Sequence, residues 1–480
     1  RVELMDLLTA GRVAVGCLDG ERVVTTAVEI TTGAVLCTEV AGDDPTRHHG
    51  VRVPLGVIAG QLDQGGVALE GIDVVTRGRR TSSGPDGEVY ASLLGPLELT
   101  SHRSVHLLVR FDLDRLAVSV GAHEATPLEQ VVATATLRIR HSLVHHGLTC
   151  RVLDATELAD LYLEAERDPG NGVGLVLLPG SDPRTVIDGL GSARAATVTE
   201  VHRLRRVEGR TDVVDMVTSV GLVGLPDTSS ADLVRTATDR RCRTLPSPQV
   251  LPVPGEPLPS AVAGSLTRRE TAELDLLAPP AHGCGQILGA SREATATAVQ
   301  LAGPHLRSVL LAARPAVCRQ VAFRAVAAGY RLAVVTDVPD RWRPLLAIGD
   351  EARYRIIAPD ASDAGAPVDA VVWDVDAALS EGRIDAFAGP GGPDVTQPTV
   401  IRVDADWGVR GAQPAHTTAP PDLVLDGRID GWISVEPRDG PAHRVSVVAG
   451  PGEEPFVGPL TPPGTLTPAG AAPSATPGRQ

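Results

Sequence analysis

Lysine is absent from this 480-residue sequence, and all 44 basic residues are arginine. Sites that require a primary amine are therefore excluded: the P-loop lysine of ATPases, the phosphate-contacting lysine of protein kinases and the lysine of a Schiff base. Aromatic residues make up only 2% of the chain, so its cores must be built mainly from valine, leucine, isoleucine and alanine.

Charge, cysteine spacing and hydropathy exclude further classes. The formal net charge is −15, which opposes nucleic-acid binding, because phosphates need a dense basic face and single strands need aromatic stacking. The six cysteines show no paired spacing, which favours a reducing compartment over a disulfide framework. No apolar run approaches the ~20 residues of a membrane-spanning helix.

The order of strand-like and helix-like runs predicts an α/β (α+β) protein. Residues 1–245 are predicted to form an α+β core domain, with a mixed sheet and βαβ units. Six prolines then predict an extended linker over 246–260. Residues 261–450 predict a C-terminal α/β domain of degenerate Rossmann-like or P-loop-like type. The Gly-, Pro-, Ala- and Thr-rich residues 451–480 predict a disordered tail.

The clearest unit of the first domain is a strand, a helix and a strand within residues 103–153. The apolar run Ser104–Arg110 predicts a buried strand. Thr126 and Glu129 flank a proline at capping-box spacing and predict a helix start, and Gly147 predicts its left-handed end. Apolar residues at helical spacing predict the buried stripe of this helix: Leu128, Val131, Val132, Ala135, Ile139 and Leu143.

An ordered set of motifs resembles the EccE family of the type VII (ESX) secretion machinery. The resemblance covers roughly residues 1–170, and its specificity lies in the order of the motifs. They are RVAVGCLDGERVVTTAVEI at 12–30, PLGVIAGQLDQGGVALEGIDVV at 54–75, LLGPL at 93–97, HRSVHLLVRFD at 102–112 and GLTCRVLDATEL at 147–158.

The resemblance implies a structural role with no catalysis and no cofactor. The expected partners are secretion-complex subunits of the EccB, EccC and EccD type. It also implies a place at the cytoplasmic face of the inner membrane. EccE proteins begin with two transmembrane helices, so membrane association is expected through segments that precede Arg1 and are absent from this chain.

Two groups of basic residues are the candidate partner-binding sites. Arg77, Arg79 and Arg80 lie in a polar stretch and could pair with acidic partners. The same stretch is equally well explained as a solvated, mobile loop. Arg138, His141 and His145 lie on the polar side of the predicted helix. There, His141 and His145 also share the i,i+4 spacing of a metal pair, but neither an H-E-x-x-H glutamate nor a third ligand is apparent.

The alternative function is an enzyme whose C-terminal α/β domain binds a nucleotide or a nucleotide-sugar. The first strand-to-helix loop, at 311–316, contains no glycine and has Pro315, so it has few of the features of a phosphate cradle. Asp374 and Asp376 in DAVVWDVD, and Asp404 and Asp406 in VDADW, could hold a cation.

The run GCGQILG at 283–289 approximates a dinucleotide fingerprint, but its final spacing is wrong and a turn is the simpler explanation. Cys284 and His282 in the same stretch could form a nucleophile–base pair or part of a metal site, although no partner cluster is close in sequence.

Overall fold

The computed structural model describes part of the chain. The described residues are 3–8, 13–20, 22–31, 35–40, 51–64, 67–95, 97, 99–120, 127–166, 172–183, 185–187, 195–225, 241–246, 251–252, 258–292, 295–303, 305–361, 367–375, 398–404, 420–428, 431–447 and 449–458.

Strands dominate the described residues. In chain order they are β1 Glu3–Leu8, β2 Ala14–Asp19, β3 Val23–Ile30, β4 Cys37–Val40, β5 Asp63–Gln64, β6 Val67–Ala68, β7 Gly71–Arg79, β8 His102–Asp112, β9 Cys150–Val152, β10 Val173–Leu177, β11 Thr197–Arg206, β12 Val213–Val223, β13 Cys242–Pro246, β14 Thr267–Glu270, β15 Gln286–Ala290, β16 Ala296–Val299, β17 Ser308–Ala313, β18 Leu332–Thr336, β19 Tyr354–Ile357, β20 Ala370–Asp374, β21 Thr399–Val403, β22 Leu423–Gly427, β23 Trp432–Pro437 and β24 His443–Ser446.

Helices connect several of these strands. They are α1 Leu55–Ala59, α2 Pro85–Leu94, α3 Leu113–Val120, α4 Leu128–His145, α5 Ala155–Glu166, α6 Ser260–Ala263, α7 Pro315–Ala327 and α8 Glu454–Val457. Short 3₁₀ turns cover Thr271–Leu277, Pro339–Arg341 and Arg343–Ile348. Within the described ranges, no helix combines the length and the apolar composition that a membrane span requires.

The first large sheet is built from the N-terminal half of the chain. Its strand order is β1-β2-β3-β8-β7-β11-β12-β10-β13, with β9 paired to β3 and β14 paired to β12. Every pairing described in this sheet is antiparallel. This differs from the mixed pairing predicted for it.

The predicted strand–helix–strand unit explains the difference. Strands β8 and β9 run in the same direction, and α4 connects them, as predicted. Both pair with β3, which is antiparallel to them and lies between them. The βαβ unit is therefore split by an inserted strand, a feature that local sequence patterns do not encode because the inserted strand comes from residues 23–30.

The two faces of the first sheet are covered by different helices. Alternate residues of β8, such as Val105, Leu107 and Val109, pack with α1 and α4 in one core. Leu108, on the opposite face, packs with Leu158 of α5 in a second, smaller core. We name these the α4 face and the α5 face of the sheet.

The second large sheet is mixed. Its order is β19-β18-β20-β21-β17-β22-β23-β24-β15-β16-β4. The strands from β19 to β22 are parallel, and the others pair antiparallel. Helix α7 packs on it with Phe323 and Val326 buried. The α/β class predicted for the chain is confirmed, and this strand order differs from the 3-2-1-4-5-6 order of the Rossmann fold.

Segments cross between the two sheets in both directions. Strand β4 comes from the N-terminal part and pairs with β16 of the second sheet. Strand β14 follows the predicted linker and pairs with β12 of the first. Helix α2 contributes Tyr90 and Leu94 to the core of the second sheet. The domain boundaries stay a prediction. Residues from the predicted N-terminal domain join the second sheet, and residues from the predicted C-terminal domain join the first.

Three local predictions need correction or fall outside the described residues. Helix α4 starts at Leu128 with Pro127, not Thr126, at the N-cap position, and no side chain caps it; Thr126 itself lies outside the described residues. Residues 451–458, predicted as part of the tail, form a turn and helix α8. Residues 459–480 and most of 246–260 lie outside the described residues.

Candidate interaction surface

Helix α4 lies with one side against the α4 face of the sheet, and this fixes which side meets solvent. The predicted stripe is confirmed: four of its residues are buried, and Leu128 and Val131 pack at its edge. The buried four are Val132, Ala135, Ile139 and Leu143. Thr136 is also buried, and its hydroxyl lies 2.7 Å from Thr26 Oγ1 on β3. This contact sets the rotation of the helix on the sheet.

The end of α4 is closed by backbone hydrogen bonds. Gly147 has φ +84°, and its N–H donates to the Val144 carbonyl at 3.0 Å. The N–H of Leu148 donates to the Leu143 carbonyl at 3.1 Å. This is the Schellman arrangement, and it confirms the left-handed end predicted at Gly147. It directs the chain into β9 and fixes the last turn of the helix.

The predicted residues Arg138, His141 and His145 all lie on the solvent side of α4. We define the α4 outer face by the exposed side chains of this helix: Glu129, Gln130, Arg138, His141, Val144 and His145. Val144 is 45% exposed and places an apolar group between the basic ones. No cluster of three or more metal-ligating side chains exists among the described residues, so the pair His141 and His145 has no third ligand there.

The second predicted group is divided by the structure. Arg79 and Arg80 are not in a mobile loop: Arg79 ends β7 and donates to the Gly329 carbonyl at 3.0 Å. Arg80 is buried and donates to the Gly95 carbonyl at 2.8 Å. Their guanidinium groups are therefore engaged within the chain. Only Arg77 points to a cleft, on the α5 face of the sheet.

This cleft is a cavity of about 50 Å³ between the sheet and α5. Its walls combine apolar residues with polar groups, which include Arg77, Ser104, His106, Tyr162 and Thr199. Leu251 and Pro252 of the proline-rich segment close one side. The enclosed part of this cleft has room for a few water molecules or one side chain.

A buried ionic cluster lies farther along the same face of the sheet. Asp73 is buried and accepts hydrogen bonds from Arg110 at 2.7 Å and Arg205 at 2.8 Å. Burial by itself would raise the pKa of Asp73, but Arg110 and Arg205, with Arg203, outweigh it and hold the pKa well below its usual range. The carboxylate stays charged and bound, which is typical of a structural ion pair.

The alternative function placed a nucleotide at the carboxyl end of the parallel strands of the second sheet. Asp374 ends β20 and is buried, and its carboxylate accepts hydrogen bonds from Arg341 Nη1 and Trp342 Nε1, each at 2.7 Å, and from Thr336. Three protein donors therefore occupy the oxygens that a metal would need. At the adjacent loop, α7 begins with Pro315. Asp376 and Asp406 lie outside the described residues.

The stretch 283–289 has a packing role. A Cβ at position 283 would lie 2.5 Å from the Ser101 carbonyl oxygen, and one at position 285 would lie 2.2 Å from Val299. Glycine is needed at 283 because the backbone before β15 approaches the backbone before β8, and at 285 because it approaches the end of β16. Burial raises the pKa of the Cys284 thiol to about 11. His282, beside it, is also buried. A protonated, enclosed thiol does not act as a nucleophile.

One comparison with known proteins finds a family match for part of the chain. Residues 99–168 match a family model described as "Putative type VII ESX secretion system translocon, EccE". The matched residues run from β8 through α4 to α5, and they include the motifs at 102–112 and 147–158. The predicted resemblance is thereby confirmed over this segment. No curated protein matches the chain at a significant level.

Proposed function

We propose that this chain, whose residues 99–168 match the EccE family model, is a non-catalytic structural subunit of an inner-membrane type VII (ESX) secretion complex. The family description is that of a translocon component. The finer role, stabilising the assembly through protein–protein contacts at the cytoplasmic face of the membrane, is our proposal. Its expected partners are subunits of the EccB, EccC and EccD type.

The observation that carries the proposal is the position of the matched segment in the fold. Residues 99–168 contribute the central strand β8 and both helices, α4 and α5, that cover the two faces of the first sheet. The outward side chains of α4 are basic and polar around the exposed Val144. An apolar group with a polar rim is the usual anatomy of a protein interface.

The chemistry of the described pockets supports binding rather than catalysis. The Asp374 carboxylate is held by protein donors. The cavity beside Arg77 is about 50 Å³. The Thr336 hydroxyl also donates to the Asp374 carboxylate, but Arg341 and Trp342 donate to the same group, so this carboxylate acts as a structural anchor.

Co-purification from cells that contain a complete secretion system tests the proposal. The tagged full-length protein should co-purify with the other translocon subunits. Adding negative charge to the α4 outer face, in the double variant Arg138→Glu and His141→Glu, should reduce their recovery about tenfold. Arg343→Glu is the matched control, because Arg343 is 76% exposed and lies near the second sheet. Equal recovery for all three proteins would contradict the proposed surface, and no recovery of any subunit would contradict the proposed function.

A further inference from the structure

The strand β1 lies at one end of the first sheet, and no described strand pairs with its outer edge. All six of its residues pair with β2, from Glu3 opposite Asp19 to Leu8 opposite Ala14. In an antiparallel edge strand, alternate N–H and C=O groups point away from the sheet and can pair with another chain. The described edge of β1 has this form over six residues.

Exposed leucines lie beside this edge on the α5 face of the sheet. Leu4 lies opposite Leu18, which packs under α5, and Asp6 and Leu8 follow on the same face. Leu4 is 40% exposed and Leu8 is 71% exposed. Leu163 of α5, the helix that packs against β1, is 39% exposed. Folded proteins usually avoid an open strand edge with exposed apolar residues, so such an edge indicates a contact.

The edge lies between α4 and α5, two helices of the family-matched segment. Helix α5 packs on one face of β1 and α4 on the other, where Leu7 is buried. An added strand would therefore continue the sheet between α4 and α5. Its side chains would contact Leu4, Leu8 and Leu163 on one face and would approach α4 on the other.

Charge decides between two classes of occupant. Glu3 and Asp6 are both exposed on β1, which carries no described basic residue. If a second copy of this chain paired here, the register that places Leu4 opposite Leu8 would also place Asp6 opposite Asp6. Like charges directly opposite each other destabilise a strand pair. A strand with basic residues gains from the same arrangement.

We propose that β1 binds an extended segment of a partner protein by strand addition, and that this segment alternates apolar residues with a basic one. The inference deepens the proposed function by naming how a partner is bound. Main-chain hydrogen bonds supply the affinity, and the alternation supplies specificity: leucine-like residues opposite Leu4 and Leu8, and arginine or lysine opposite Asp6.

The test uses the full chain and two synthetic peptides, TLTRTLT and its acidic counterpart TLTETLT, at up to about 1 mM. Amide hydrogen exchange is measured at residues 3–8. The basic peptide should slow exchange there, and the acidic peptide should not. Leu8→Ser and Asp6→Asn should each weaken the protection by the basic peptide about fivefold. Asparagine keeps an oxygen for the hydrogen bond that Asp6 accepts from the N–H of Ala155.

Val118→Ser is the matched control, because Val118 is 81% exposed on α3 and should not affect binding. Equal protection by both peptides, or no protection of residues 3–8 at the highest concentration, would overturn the proposal. Concentration-dependent dimerisation that Leu8→Ser abolishes would also overturn it in favour of a second copy. If the basic peptide protects β1 but no secretion subunit co-purifies, the proposed function fails and the strand-binding site stands.

Discussion

A buried ion pair between Glu453 and Arg324 helps to hold residues 451–458 against the second sheet. Glu453 and Arg324 are each 1% exposed, and their bidentate contact measures 2.7 and 2.9 Å. Gln320 and the N–H of Gly450 donate to the same carboxylate. Burial by itself would raise the pKa of Glu453, but Arg324 outweighs it and holds the pKa below its usual value.

Removing the charge of Glu453 should be costly. Glu453→Gln leaves Arg324 buried without a counter-charge, so the free energy of unfolding should fall by about 3–5 kcal/mol. The measurement is urea unfolding at pH 7. Glu454→Gln is the control: Glu454 is the next residue, exposed at the start of α8, so its substitution should change stability by about 0.5 kcal/mol or less. Equal losses for the two variants would contradict the account.

The same pair predicts a pH dependence. The folded pKa of Glu453 is lowered, so its contribution is complete above the unfolded value of about 4.3 and is lost as the pH falls through the folded pKa. The stability difference between wild type and Glu453→Gln should therefore shrink as the pH is lowered below about 4. A difference that stays constant from neutral to acidic pH would contradict this assignment.

The sequence predicted disorder at Glu453 for an understandable reason. The neighbouring residues are glycine and proline without any period, which is the composition of a tail. Phe456 and Val457 are a single apolar pair, and both are buried. Their partners lie more than a hundred residues earlier in the chain, on and around α7. No local pattern contains that contact.

At the scale of elements, the end of α4 is the feature that the sequence predicted best. Gly147 has a positive φ, and no described atom would lie within 4 Å of a Cβ at that position. Gly147→Ala should therefore cost about 1 kcal/mol through backbone strain alone. Gly264→Ala is the control, because Gly264 also faces open space but has φ −68°. Thermal unfolding of both variants checks this, and an equal Tm would contradict it.

The segment between β7 and β8 shows where element prediction failed. Its composition predicted a mobile loop, yet Pro85–Leu94 form helix α2. Asp86 is buried at the start of this helix and accepts two hydrogen bonds from Arg353, at 2.8 and 3.0 Å. Tyr90 accepts a bond from the N–H of Ile287 at 2.8 Å. These tertiary contacts override a local composition that is typical of loops.

Arg353 contacts one buried and one exposed carboxylate, which allows a matched comparison. Asp86→Asn should lower the free energy of unfolding by about 1.5–3 kcal/mol, because buried Asp86 loses its charge-assisted hydrogen bonds from Arg353. Asp350 is 43% exposed in its contact with Arg353, so Asp350→Asn should cost about 0.5 kcal/mol or less. Urea unfolding measures both. Equal losses of stability in the two variants would contradict the role of Asp86 in holding α2 against the second sheet.

At the scale of the whole molecule, the two sheets depend on each other. The core of the first sheet includes Leu274 and Ala281, and the core of the second includes Tyr90, Leu94 and Leu99. A fragment of residues 1–245 lacks β14, Leu274 and Ala281, which all belong to the first sheet or its core. We therefore expect no cooperative urea transition from this fragment and a single transition from the full chain. A cooperative transition of the fragment would show that residues 1–245 fold independently.

The sequence predicted the class and the family segment because both depend on local order. The run Ser104–Arg110, the stripe of α4 and Gly147 are local patterns, and the structure places all three as expected. The pairing of strands depends on residues far apart: β3 splits the βαβ unit, and β4 joins the second sheet. The edge at β1 was missed because an exposed edge is a property of the whole sheet.

The central claim is that the α4 outer face contacts another subunit of the secretion complex. Site-specific photo-crosslinking in intact cells tests it most directly, with the crosslinker at position 141 on α4 and, in a control, at the exposed position 343. The account predicts a discrete crosslinked product with a translocon subunit at position 141 and none at position 343. Crosslinking that is absent at 141, or equal at both positions, would contradict it.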